Sequence, residues 1–133
     1  MAAATKKSIV AGRIVMAEYD FAVLGGAVST IGLRLTIPSG AIINGGVMDV
    51  LTAVTGAGAS VGVNSEAAGD LVAAAAISGA PWSTTGLKAI IPVYSAATAV
   101  KMTADREIKV AITGAAVTAG KFRVYVHYFL HRG

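Results

Sequence analysis

No cysteine occurs in the chain. Disulfide staples, thiolate nucleophiles and sulfur-ligated metals are therefore excluded. Charge is also scarce: 14% of residues are Asp, Glu, Lys or Arg, where a soluble domain of ordinary composition has about a quarter. Aromatic residues make up 6%, with a single tryptophan, so there is little with which to stack bases or sugars. The only histidines are His127 and His131. Four residues apart on a strand, they stand about 13 Å from each other, too far to share an ion, and no cysteine or nearby acid completes a ligand set. Long apolar runs are missing too. A membrane-spanning helix needs about 20 consecutive apolar residues, and the longest charge-free run, residues 71–87, is interrupted by Gly79, Pro81, Ser83, Thr84, Thr85 and Gly86. At the start, Arg13 follows Lys7 too closely to leave the apolar stretch of a signal peptide.

What remains is 133 residues, 55% hydrophobic, rich in alanine and valine and with 16 glycines. That length fits one domain with a sizeable core. So few charges cannot cover the outside of such a domain, and large apolar surfaces mark contacts with other chains. The composition therefore predicts an obligate oligomer or a part of a larger assembly. The net charge of +4 is spread over both ends, with Lys6, Lys7 and Arg13 near the start and Lys121, Arg123 and Arg132 near the finish. Nucleic-acid recognition wants a denser basic patch or stacking rings, so the charge reads as solubility or as contact with an acidic protein surface.

Periodicity predicts an all-β fold. Residues 1–12 are small, polar or basic apart from Ile9 and Val10, and read as an extended arm that a neighbouring chain ties down. Residues 13–133 read as one β-sandwich domain. Ile31, Leu33, Leu35 and Ile37 alternate with Gly32, Arg34 and Thr36, the pattern of a half-buried strand. "PSG" at residues 38–40 breaks it, and "NGG" at residues 44–46 signals a turn. "VMDVLTAV", starting at Val47, is apolar on both faces and reads as a strand covered on both sides. "TGAGA" turns the chain and "SVGVN" runs back. "LVAAAAI" reads as a strand or, from its alanines, a helical turn, "SGAPWSTTG" as a surface loop displaying Trp82, and "LKAIIPV" as another strand. At the end, Ile108, Val110 and Ile112 alternate with Glu107, Lys109 and Ala111. Phe122, Val124, Val126, Tyr128 and Leu130 alternate with Lys121, Arg123, Tyr125, His127 and Phe129. The pair reads as a closing hairpin whose second face is too apolar for water alone. "VTGA" at residue 54 and "ITGA" at residue 112 echo each other; the echo reads as turns drawing on a small menu of residues, with two similar strand–turn–strand units as the alternative. About eight short strands joined by Gly-, Ser- and Pro-rich turns predict a jelly-roll-like or Greek-key sandwich.

No catalytic constellation emerges. "GAGASVG", residues 56–62, is superficially like a phosphate loop but lacks its lysine and Ser/Thr, and Val61 stands where a dinucleotide motif needs glycine. "NSEAAGD", residues 64–70, offers Asn64, Glu66 and Asp70 as oxygen donors, but at a spacing that matches no calcium loop; it reads as a solvated turn. The acid pairs Glu18/Asp20 and Asp105/Glu107 read as charged strand ends. No nucleophile elbow accompanies the serines. The expectation is a protein without enzymatic activity, cofactor, metal or small-molecule substrate.

The stretches "TIPSGAIINGGVMDVLTAVTGAGASVGVN", "GDLVAAAAI", "GLKAIIPV" and "AVKMTADREIKVAITGAAVTAGKFRVYVHY" together resemble the capsid decoration, or cement, proteins of tailed bacteriophages. The resemblance spans residues 28–128 and rests on motif order rather than on any catalytic signature. It implies an all-β virion protein, made in the host cytoplasm, that sits outside the shell, often as a homotrimer. Such a protein contacts the major capsid protein and bridges its subunits. A tail-tube or head–tail joining component is the alternative, followed by a carbohydrate-binding sandwich that would stack a sugar on Trp82. The candidate protein-contact residues are Lys6, Lys7, Ile9, Val10 and Arg13 near the start, Trp82 in its loop, and Arg123, Tyr125 and His127 on the last strand.

Overall fold

The computed structural model describes residues 9–90, 92 and 99–132, with the side chains of all of these except 9–11, 131 and 132. Eight strands form two antiparallel four-stranded sheets, giving the all-β sandwich that the alternation predicts. The strands are β1 (Ile9–Asp20), β2 (Ser29–Ile37), β3 (Ile42–Thr55), β4 (Ser60–Asn64), β5 (Val72–Ala76), β6 (Gly86–Ala89), β7 (Arg106–Thr113) and β8 (Ala119–Arg132). Sheet A has the order β1-β8-β3-β6 and sheet B the order β2-β7-β4-β5. The pairs β1/β8, β2/β7, β3/β6 and β4/β5 are nested one inside the next. The chain is in effect one long folded-back ribbon rolled into a sandwich, which is the jelly roll.

Every connection except β4–β5 crosses between the sheets. That corrects two sequence expectations. Strands β7 and β8 are not a hairpin: β7 pairs with β2 and β4, and β8 with β1 and β3. Their alternation does mark the buried faces: Ile108, Val110 and Ile112 and, across the core, Phe122, Val124 and Val126 are all buried. Two half-buried strands can satisfy that pattern side by side or face to face, and here the connection decides. Its backbone bonds go to the β1–β2 connection, Val117 N to Gly26 O at 2.8 Å, and to the end of β3, Thr118 N to Thr55 O at 2.7 Å. The "GAGA" segment likewise carries the chain from sheet A to sheet B rather than closing a hairpin. The echoed "VTGA" and "ITGA" segments thus both open sheet-crossing connections, and Thr55 of the first lies with its Oγ1 3.0 Å from that of Thr118, just beyond the second.

"NGG" is a third correction. It lies inside β3, where the pairing with β8 shifts between Ile43 and Gly45. Gly45 and Gly46 have φ of 150° and 153°, values that side chains rarely adopt. A Cβ on Gly46 would overlap the Tyr125 carbonyl oxygen and crowd Ile90. The glycines therefore make a bulge, not a turn.

Trp82 is a fourth. It is 0% exposed. Its indole N–H donates to the Val61 carbonyl at 3.0 Å, and its ring lies 4.9 Å from that of Phe122, which stacks at 5.2 Å on Tyr19. These three rings anchor the core. Trp82 has no surface left to offer a sugar or a protein partner.

Candidate functional site

Five of the seven carboxylates are occupied in holding loops and strand ends together. Asp70, itself buried, accepts from Ser65 N at 2.6 Å, Ser65 Oγ at 2.7 Å, Glu66 N at 2.8 Å and Ala67 N at 3.0 Å. Asn64 Oδ1 accepts from Gly69 N at 2.7 Å. The segment read as a solvated turn is therefore wound around a buried acid. Glu66 accepts from Thr103 Oγ1 and from Arg106 Nε, each at 2.6 Å. These bonds hold its carboxyl below the usual carboxylate range, Thr103 contributing most. Asp105 accepts from Ser39 N and Glu107 from Arg34 N, both at 2.7 Å. Asp20 caps the single helical turn α1 (Phe21–Leu24) by accepting from Ala22 N at 3.0 Å. The motifs behind the resemblance, "GDL" and "TADR", are thus structural fasteners.

Among the described residues, no group of three or more acids and histidines is placed to hold a metal ion. A cavity of about 400 Å³ lies at one end of the sandwich beside residues 53–60. Its lining is alanine and glycine with Val54, Ile77, Thr55, Ser60, Ser78 and Ser83, and no charged residue is among them. Among the described residues no helix is long and apolar enough to cross a membrane.

The two outer faces of the sandwich differ. On sheet B the outward positions are small or polar: Thr30, Thr36, Ser60, Asn64, Glu107, Lys109 and Ala111. On sheet A they are large. Register places Met16, Tyr125, Val47 and Ala89 in one row across all four strands. Ile14 and His127 form the row on one side of it, and Gly12, Phe129 and Ile42 the next. On the other side stand Glu18, Arg123, Asp49 and Leu87. Ile14 and Leu87 are each 71% exposed, Met16 44% and Val47 42%. An apolar band therefore abuts a band of alternating charge. Arg123 Nε donates to Glu18 Oε1 at 3.1 Å, and Lys121 Nζ lies 3.8 Å from the same oxygen. Glu18 foremost, then Tyr125, pushes the Arg123 guanidinium further toward its charged form. An apolar centre with a polar border is the anatomy of a protein interface.

Of the sequence-predicted contact residues, Arg123, Tyr125 and His127 come together on this face. Arg13 pairs with Tyr128, whose side chain points inward. Arg13 thus belongs to the opposite side of β1, exposed at the sandwich margin. Ile9 and Val10, placed in the arm by sequence, lie in β1 opposite Arg132 and His131, and their side chains are outside the described set. Lys6 and Lys7 lie outside the described residues. Sequence reasoning missed Ile14, Met16 and Leu87. The signal was there in "RIVMAEYD", where Ile14 and Met16 alternate with Val15, Ala17 and Tyr19 and leave both strand faces apolar.

No protein-family pattern matches this chain, and no curated protein matches it by sequence. Solved structures do match by shape. A chain in the capsid asymmetric unit of cyanophage Pam1 superposes with a TM-score of 0.65 at 18% identity, over 98% of this chain and 93% of that one. A chain in the acid-stable capsid structure of Helicobacter pylori bacteriophage KHP30 does so with a TM-score of 0.60 at 15% identity, over 90% and 87%. The class this defines is an eight-stranded jelly roll of a form also found among bacteriophage capsid chains. At such identities the likeness is one of fold.

Proposed function

We propose that this chain is a structural virion protein, a decoration protein that binds the outside of an assembled phage capsid and stabilises it by bridging capsid subunits. The observation that carries the reading is the outer face of sheet A, a broad apolar and mixed-charge surface on a molecule whose acids are largely committed to structure. Near full-length likeness in fold to chains of two phage capsids supports it, as does the motif order of the sequence. On this reading the sheet itself is the working part. The Met16, Tyr125 and Val47 row supplies apolar contact to the major capsid protein, and the Glu18, Arg123 and Asp49 row fixes orientation through charge. The protein performs no catalysis and needs no cofactor. It acts by linkage: binding the assembled shell and not its separated subunits shifts the equilibrium toward the shell. By the resemblance, the bound form is a homotrimer.

Electron cryomicroscopy of particles from the phage that encodes this chain tests the reading. Density for the jelly roll is expected on the shell exterior, between capsid subunits, with the outer face of sheet A turned toward them. Density in a ring at the tail or head–tail joint would replace this reading with that of a joining component.

A further inference from the structure

The two sheets have four edges, and three of them are blunted. Strands β5 and β6 are only five and four residues long. Strand β2 is broken by a bulge between Gly32 and Thr36, with Arg34 in the left-handed region at φ 62°. Short strands, bulges and local twists are how sheets avoid pairing with other chains. Strand β1 has none of these protections. It runs for 12 residues without proline, and its pairing with β8 is in register from Ile9 to Asp20 without a shift. It stands at the end of sheet A, and among the described residues nothing pairs with its other side. Beside that open ladder stand Ile14 and Met16, both exposed.

We propose that the free edge of β1 pairs antiparallel with β1 of a second copy, joining two A sheets into one sheet of eight strands. A two-fold axis normal to the sheet keeps both outer faces on the same side and makes the contact close on itself. The side chains select the position of that axis. With the axis at Val15, Ile14 of each copy stands opposite Met16 of the other. The two exposed apolar residues of the edge then cover each other twice, and Glu18 meets Gly12. With the axis at Met16, Ile14 faces Glu18. At Ala17, Met16 faces Glu18, and at Glu18 the two Glu18 carboxylates oppose each other, which is unfavourable. With the axis at Ile14, Met16 faces Gly12, which has no side chain to offer. A second copy is favoured over an unrelated strand because each molecule brings the same unprotected edge and the matching side chains. The contact lies in the plane of the sheet and leaves its outer face open. It is a contact of the free protein, separate from the homotrimer that the resemblance implies for the bound form; it goes beyond the decoration reading and does not depend on it.

The absence of cysteine makes the register directly testable. Ile14→Cys and Met16→Cys are prepared as single variants, circular dichroism confirms the fold of each, and they are oxidised separately and mixed. Leu87→Cys, equally exposed but on the far edge of sheet A, measures chance collision. The mixture of Ile14→Cys with Met16→Cys should form covalent dimer at least about tenfold faster than Leu87→Cys, because a paired edge holds the thiols at high effective concentration. Either variant alone should be slower than the mixture. In the unmodified protein, amide exchange along β1 should slow as concentration rises. The proposal is overturned if no combination exceeds Leu87→Cys, if Ile14→Cys alone matches the mixture, or if β1 exchange does not depend on concentration. None of these outcomes bears on whether the protein decorates a capsid, which the particle images decide separately.

Discussion

Val126 and Tyr125 are adjacent in sequence and opposite in consequence. Val126 is 0% exposed, between the sheets, while Tyr125 stands on the outer face of sheet A between Met16 and Val47. Val126→Ala removes two methyl groups from a packed core and should cost about 1–3 kcal/mol of stability in chemical denaturation. Tyr125→Ala should leave that stability nearly unchanged and weaken capsid attachment, since a central aromatic is a typical anchor of binding energy. Equal effects of both changes on both measurements would mean that the outer face is not the contact. Glu66 gives a prediction of a different kind. Thr103 foremost, then Arg106, hold its carboxyl below its ordinary value in the folded protein. A lowered carboxyl contributes stability in full above its unfolded value and loses it as pH falls through the folded one. Thermal melting should therefore become pH-sensitive as pH falls below about 4.3, and Glu66→Gln should flatten part of that dependence. A variant whose melting curve tracks the parent at every pH would show that the anchoring of residue 66 is immaterial.

At the scale of elements, the bulge in β3 is the most demanding local feature. Gly46→Ala introduces a Cβ against the Tyr125 carbonyl at a φ that alanine avoids. It should destabilise by more than about 1 kcal/mol and disturb the β3/β8 ladder that positions Tyr125. Gly40→Ala makes a useful comparison: it shares a positive φ, but nothing lies within 4 Å of the added carbon. Denaturation of the two side by side separates clash from backbone preference. The same bulge shows what the sequence could convey. Period-two alternation located β2, β7 and β8 and their buried faces, because burial acts on each strand by itself. It could not say which strands are neighbours, because an alternating strand is satisfied equally by a partner beside it and a sheet in front of it. "NGG" was misread for a related reason, since glycine permits both a tight turn and a bulge. Trp82 was misplaced because its loop is polar in sequence, and only the fold reveals that this loop dips into the core. Of the outer face, Arg123, Tyr125 and His127 were legible from strand phase. Leu87 was not, because a strand of four residues carries too little alternation to assign a side.

For the whole molecule, the decoration reading predicts that the protein raises the melting temperature of shells to which it is added and leaves that of unassembled capsid subunits unchanged. At a free concentration a hundred times the dissociation constant, each occupied site would contribute about 2.7 kcal/mol to the shell. Differential scanning calorimetry of undecorated particles with increasing protein should show a shift that saturates, and no shift would remove the linkage mechanism. The nesting of the strand pairs bears on how the molecule comes into being. Ile9 pairs with Arg132 and Asp20 with Lys121, so the first strand waits for the last. Only β4 and β5, at the centre of the chain, form a ladder across a local turn. During synthesis on the ribosome, β1 has no partner until β8 has cleared the exit tunnel. The sandwich therefore closes in one late, long-range event, in the slower range for a domain of this size, and until then every nascent chain trails an open strand on which another can misassemble.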